Sequence, residues 1–213
     1  SPNEIRAGIR LACTARPTSD CVIELLMEEK KNTQNISGYD LSEWEHSDQE
    51  ADIPKAVIAV DIGTTTLAMQ LILTADGHIE AEYRKMNPQR SYGPDVISRI
   101  EADESGEGKR LTELIRDEIE KGVSFLKKKC QEKFEDKDVC ERIPVVIAGN
   151  TVMQHLFLGY PTVSLGTHPF TPVDVREHSL KILDSKTIFM PGISAFVGAD
   201  IVAGISISGI FNT

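Results

Sequence analysis

Asp61-Ile62-Gly63-Thr64-Thr65-Thr66 puts a carboxylate, a glycine and three hydroxyls into six consecutive residues, a set suited to holding Mg²⁺ and phosphate. A carboxylate is a hard oxygen ligand for Mg²⁺, directly or through water. Gly63 permits a tight turn that brings backbone N–H groups close to phosphate oxygens. Thr64, Thr65 and Thr66 add hydroxyl donors without adding charge. The hexad lies between two apolar runs, Val57–Val60 and Leu67–Leu73, so it reads as strand, turn, strand: a β-hairpin gripping phosphates. A P-loop would need a following helix and a Gly-Lys-Ser/Thr tripeptide, and none occurs. The string alone is a weak motif, and a plain threonine-rich hairpin is the competing reading.

The elements that position such a turn follow from periodicity. Val57–Val60 and Leu67–Leu73 are apolar nearly throughout, which predicts central strands covered on both faces. After the Asp76-Gly77 turn, Ile79, Ala81 and Tyr83 alternate with charged residues, which predicts an edge strand completing an antiparallel meander. Pro94-Asp95 opens a helix through Ile97 and Ile100, with Asp95 and Arg99 spaced for an i,i+4 pair. The segment 101–109, charged and carrying two glycines, is expected to break it. Leu111, Leu114, Ile115, Ile119, Val123, Phe125, Leu126 and Phe134 predict a long amphipathic helix. Pro144–Ala148 predicts a fourth strand, parallel to the first, running into Gly149-Asn150-Thr151 and a helix over 152–158 closed by Gly159 and Pro161. Asn150 or Thr151 suits its N-cap, and plain capping and ligand contact fit that position equally. Thr187–Met190 predicts a fifth strand, and Phe196-Val197-Gly198-Ala199-Asp200 opens a last apolar helix over 201–210. The fold expected is α/β, with a mixed five-stranded sheet built as a β-meander followed by βαβ units.

With 213 residues, 40% hydrophobic and 26% charged, the chain has the composition of a globular protein with ample core. A formal net charge of −10 argues against nucleic acid as a partner. No apolar run approaches the ~20 residues that span a bilayer, so no membrane partner is expected. Cys13, Cys21, Cys130 and Cys140 include no CxxC pair, which suits a reducing cytoplasm better than a disulfide framework. Cys130 reads as a small buried hydrophobe and Cys140 as unpartnered. The five histidines show no metal spacing, and His155 reads as a hydrogen-bonded core or boundary residue. The start at Ser1-Pro2 and the apolar end suit a piece of a longer polypeptide, or an end that a partner covers; a homodimer is open.

Taken in order, Asp-Ile-Gly-Thr-Thr-Thr (61–66), Asn-Pro-Gln…Tyr-Gly-Pro-Asp-Val-Ile-Ser-Arg-Ile (87–100), Gly-Asn-Thr-Val-Met-Gln-His-Leu (149–156) and Gly-Ala-Asp-Ile-Val-Ala-Gly (198–204) resemble the reductive activators of corrinoid proteins. That family belongs with the acetate kinase, sugar kinase, Hsp70 and actin superfamily of ATPases. Arg10-Leu11-Ala12-Cys13 with the strand-like Cys21–Leu26 resembles the end of a plant-type [2Fe–2S] ferredoxin domain. The resemblance implies a ribonuclease H-like/actin-like ATPase lobe. It implies residues 1–26 as an incomplete ferredoxin tail, 27–54 as an acidic linker, 55–193 as the first ATPase lobe and 194–213 as the start of the second.

It also implies a function: ATP-dependent return of a corrinoid protein from Co(II) to Co(I), within a methyltransferase system, by electron transfer from a [2Fe–2S] cluster in the full-length protein. Carried over, Asp61 would be the catalytic residue and hold Mg²⁺ through water. Gly63, Thr64, Thr65 and Thr66 would cradle the phosphates of ATP. Asn150 and Thr151 would face the same cleft, with Gly198 and Asp200 at the lobe interface. Asn87, Tyr92, Asp95 and Arg99 match the pattern without an assigned role. Cys13 would be a single cluster ligand, and one thiolate cannot hold a cluster that needs four, so this stretch alone is expected to carry none and to be inactive. Two other readings remain: a small-molecule kinase of the same superfamily, and a non-catalytic nucleotide-dependent binding module.

Overall fold

In the computed structural model, residues 54–135 and 137–208 are described; the expected ferredoxin tail, nearly all of the linker and Cys13 lie outside them. Three strands come first: β1 (Ala56–Ile62), β2 (Thr66–Leu73) and β3 (Ile79–Met86). Two helices follow, α1 (Val96–Ala102) and α2 (Gly108–Lys133), then a short α3 (Lys137–Glu141). The chain continues as β4 (Val145–Gly149), α4 (Thr151–Leu158), the single turn α5 (Val163–Gly166), the hairpin β5 (His178–Ile182) and β6 (Ser185–Phe189), and α6 (Ala199–Ile207). The sheet order is β3-β2-β1-β4-β6-β5. β1 runs antiparallel to β2 and parallel to β4, and β4 runs parallel to β6. This is the ribonuclease H-like/actin-like arrangement expected, with one strand more.

The additional strand is β5, which pairs antiparallel with β6 at the sheet edge. It turns through Leu183 and Asp184, both at positive φ (45° and 64°), the backbone of a tight primed hairpin turn. Leu-Asp carries none of the Asn-Gly or Asp-Gly signal for such a turn, so the hairpin is silent in the sequence.

Alternation places Ala56, Ile58, Val60 and Ile62, with Leu67, Met69, Leu71, Val145 and Ile147, on one face, and all are buried. Onto it α2 lays a stripe of Leu111, Ile115, Ile119, Val123, Leu126 and Cys130, each fully buried, at the three- and four-residue steps of one helix face. The opposite face is not covered as expected. Val57, Ala59, Ala68, Gln70, Val146 and Ala148 are only half-buried, because α2 and α4 share the first face with Thr112 Oγ1 donating to Leu156 O at 2.7 Å. Among the described residues no helix is long and apolar enough to cross a membrane.

One local expectation holds and one is corrected. Segment 101–109 breaks the helix as expected: Gly106, at φ 98° within the turn over 103–107, leaves helical geometry and sets a kink between α1 and α2. Asp103 pins the kink by accepting from both Thr162 N and Thr162 Oγ1 at 2.7 Å. The correction concerns cysteine. Cys130 and Cys140 form a disulfide with Cα atoms 5.6 Å apart, within the ordinary range. The bond arises because α2 ends at Lys133 and α3 doubles back, a reversal that sequence spacing alone does not report.

Ile119→Ala, in the centre of the buried stripe, is expected to destabilise this unit by about 2–5 kcal/mol. Ile97→Ala, on the exposed face of α1, is expected to stay within about 0.5 kcal/mol. Denaturant unfolding of the full-length polypeptide with each variant checks the contrast.

Candidate functional site

The turn 63–65 closes with Gly63 N donating to Thr66 O at 3.1 Å. A Cβ on Gly63 would stand 2.6 Å from Thr66 O, so any other residue would open the turn. Its three carbonyls are all satisfied from behind. Asn87 Nδ2 donates to Gly63 O at 2.8 Å, Asn87 N to Thr65 O at 2.9 Å, and Arg99 Nη2 to Thr64 O. The backbone N–H groups of Thr64 and Thr65 have no partner among the described residues. A turn with its acceptors tied off and its donors free has backbone N–H groups to offer an anion.

The strand pairing brings the second motif to the same place. Ile62 lies opposite Gly149 in the parallel β1–β4 register, so both strands end together and α4 begins beside the turn. Asn150 is the N-cap, its Oδ1 accepting from Met153 N at 3.0 Å, while its Nδ2 donates to Thr64 Oγ1 at 3.1 Å. Capping and site contact are therefore two ends of one amide. Thr64 Oγ1 keeps its own proton to donate. Thr151 is buried and its hydroxyl donates to Ser194 O at 2.7 Å; that hydroxyl anchors the loop carrying the third motif.

Gly198 completes the convergence. A Cβ there would lie 2.6 Å from Asn150 Cα, 2.7 Å from Thr151 N and 2.8 Å from Gly149 O, so backbone packs on backbone. This close approach sets Asp200, in the first turn of α6, near Asp61. Burial first, and then the negative charge of Asp200, hold the Asp61 carboxyl above its usual range. Two carboxylates whose charges oppose one another beside free N–H donors form a pair that a divalent cation would relieve. Thr66, exposed at the start of β2, borders the same turn. Asp61, Gly63, Thr64, Asn150, Gly198 and Asp200 thus come together; Cys13 lies outside the described residues.

Arg99 and Asp95 do not pair as their spacing suggested. Asp95 instead caps α1, accepting from Ser98 N at 2.9 Å in a capping box. Arg99 turns inward and is fully buried. Gln89, which the sequence did not single out, is also fully buried, donating to Leu111 O at 2.9 Å and accepting from Arg99 Nη1 at 3.2 Å. The cue for this layer is weak: long polar side chains in a loop read as solvated, and only the fold turns them in. Tyr92 is half-buried and ends the short turn over 88–91. Among the described residues no group of three or more His, Cys, Asp or Glu side chains is placed to hold a metal. Cys130 and Cys140, bonded to each other, supply no thiolate.

His155 is fully buried in α4. Its Nε2 accepts from Val173 N at 2.9 Å, so Nδ1 carries the proton facing Thr151 O at 2.8 Å. Burial holds its pKa below the usual value. A histidine that the fold keeps neutral loses stability on acidification, since below about pH 6.5 the unfolded chain takes a proton that the folded site refuses. The melting temperature is therefore expected to fall below that pH, and His155→Asn should flatten this component; an unchanged pH slope would contradict it. The sign for Asp61 is opposite. With its folded pKa raised, its charge opposes folding at neutral pH and the cost fades as pH falls through the folded value. Asp61→Asn is expected to keep or raise the nucleotide-free melting temperature at pH 7, with the gain disappearing near pH 3.5; a large drop at pH 7 would show that the charge is needed for folding.

Residues 56–213 match the protein family described as RACo middle region. The corrinoid activation enzyme RamQ of Eubacterium limosum is 33% identical over 166 residues, covering 72% of this chain and 27% of that protein. A solved structure of a reductive activator for a corrinoid, iron–sulfur protein superposes with a TM-score of 0.63 at 28% identity, over 75% of this chain and 26% of that one. The chain thus spans about a quarter of the length of these relatives. The family match takes in every described strand and helix, and the chain belongs to the RACo middle region family.

Proposed function

We propose that the polypeptide containing this chain is an ATP-dependent reductive activase that returns a corrinoid protein from Co(II) to Co(I), and that this segment supplies phosphate-gripping residues of its nucleotide site. The observation that carries the nucleotide part is the turn 63–65, whose carbonyls are tied off while the N–H groups of Thr64 and Thr65 stay free beside Asp61 and Asp200. The corrinoid part rests on the two relatives, named as a corrinoid activation enzyme and a reductive activator.

The residues fit Mg–ATP. Asp61 would hold Mg²⁺ through water, with Asp200 as a second carboxylate close by. Gly63, Thr64, Thr65 and Thr66 would receive phosphate oxygens on N–H and hydroxyl donors. Asn150 would orient the Thr64 hydroxyl, and Thr151 and Gly198 would hold the Asp200 loop against the turn. Nucleotide drives a conformational step only through different affinities for two states. A loop packed as closely as Gly198 on Asn150 is suited to report phosphate occupancy to residues beyond it.

In this reading residues 1–26 end a ferredoxin-type domain, 27–54 form a linker, 55–193 the first ATPase lobe and 194–213 the start of the second, in the cytoplasm. A [2Fe–2S] cluster would supply a one-electron donor. Cys13, the cysteine of Arg-Leu-Ala-Cys, is the ligand candidate that the resemblance gives. Cys21 lies on the wrong side of that motif, Cys130 and Cys140 are paired, and the other ligands would come from elsewhere in the polypeptide.

The test uses the anaerobic full-length polypeptide with its cluster confirmed, a Co(II) corrinoid protein encoded near it and a reductant. Co(I) is expected to appear in the visible spectrum with ATP and not without it. Co(I) at equal rate and extent in both samples would remove the ATP requirement. Its absence from both, with the corrinoid loaded, would reject the activase reading for that partner and turn attention to phosphorylation of small molecules.

A further inference from the structure

Arg99 is completely buried, yet among the described residues no carboxylate bonds to it. Its partners are neutral. Nε donates to Gly93 O at 3.2 Å, Nη1 to Gln89 Oε1 at 3.2 Å with Met153 Sδ at the same distance, and Nη2 to Thr64 O. Two charges act on it from further away, Arg90 repelling and Asp95 attracting. Both are exposed, and Asp95 is engaged as the cap of α1. Burial brings the guanidinium down to about 10, so it remains charged at neutral pH.

A cation removed from water without a counter-ion is unfavourable unless dipoles and a nearby anion offset the loss of hydration. The carbonyls of Gly93 and Thr64 and the amide oxygen of Gln89 do part of this. The geometry points to the rest. Arg99 reaches the carbonyl of Thr64, in the turn whose free N–H groups belong to Thr64 and Thr65. An anion on those N–H groups would feel the unit positive charge of the buried guanidinium through a peptide unit. The hexad also lacks the lysine that a P-loop would supply, so no side chain of the turn itself carries positive charge.

We propose that Arg99 is the positive half of the phosphate site: a guanidinium anchored behind the turn 63–65, whose charge a bound polyphosphate neutralises without touching it. The proposal rests on reading that turn as the nucleotide site. It makes Arg99 a positioning residue, since it holds the turn and sets its potential. It also predicts selectivity by charge, with the Arg99 contribution growing as the ligand gains phosphates.

The experiment is equilibrium binding of Mg–ATP, Mg–ADP and AMP to the full-length polypeptide as wild type, Arg99→Gln, Arg99→Lys and Gln89→Glu. Arg99→Gln is expected to weaken Mg–ATP on the order of 10- to 100-fold and AMP much less. Arg99→Lys, which keeps the charge and loses the fork, should retain the preference for higher phosphate charge. Gln89→Glu puts a carboxylate where Nη1 now meets an amide oxygen, and should weaken Mg–ATP with Arg99 still in place. If Arg99→Gln does not fold, Gln89→Glu and Arg99→Lys carry the test. Wild-type affinities in Gln89→Glu and in every folded Arg99 variant, or equal losses for all three nucleotides, would overturn the charge role and leave the site reading standing. A wild-type protein that binds no nucleotide would overturn the site reading and this inference together.

Discussion

Three consecutive carbonyls, those of Gly63, Thr64 and Thr65, have to be satisfied within the protein if the same turn is to offer its N–H groups to an anion. Asn87 and Arg99 meet that requirement with one amide, one backbone N–H and one guanidinium. Much of the surrounding structure serves to hold those two donors. Gln89 bridges Arg99 to α2 through Leu111 O, and the capping box at Asp95 starts α1 where its next turn delivers Arg99 inward. Buried polar groups cost free energy unless each finds a partner, so this layer is specific because it is nearly saturated.

The sheet makes the convergence possible. β1 is central, antiparallel to β2 on one side and parallel to β4 on the other. A turn after β1 and a helix start after β4 must then lie side by side at one end of the sheet, as ligand-binding segments do in open α/β folds. Gly198 brings a third segment to the same end by backbone contact alone. Asp61 and Asp200 repel at this junction, and the stability of α2 and the buried face carries that local cost.

Much of the chain was readable from pattern. The strands over 57–60 and 67–73 and most of the stripe on α2 appear where periodicity puts them, although Phe125 is exposed and Phe134 follows the helix end. Of Asn150 and Thr151 it is Asn150 that caps α4. These features depend on residues no more than four apart, or on strict alternation, and such signals are local. β5 escaped because its turn uses Leu-Asp at positive φ. Coverage of both sheet faces was overestimated because apolar residues on a strand do not report on which side the helices pack.

By itself the sequence determined the chemistry on offer: a carboxylate, a glycine and hydroxyls on a hairpin, and an amide at a helix start. Only the tertiary structure decided how these are used. Asn87 reaches Gly63 across 24 residues, Arg99 reaches Thr64 across 35, and Asn150 reaches Thr64 across 86. It also decided that Arg99 leaves Asp95 for the interior and that Cys130 finds Cys140. The physical reason is that a long polar side chain is equally at home in water or in a saturated buried network. Its choice is set by which backbone groups the fold leaves unsatisfied, a property of the assembled chain rather than of any window along it.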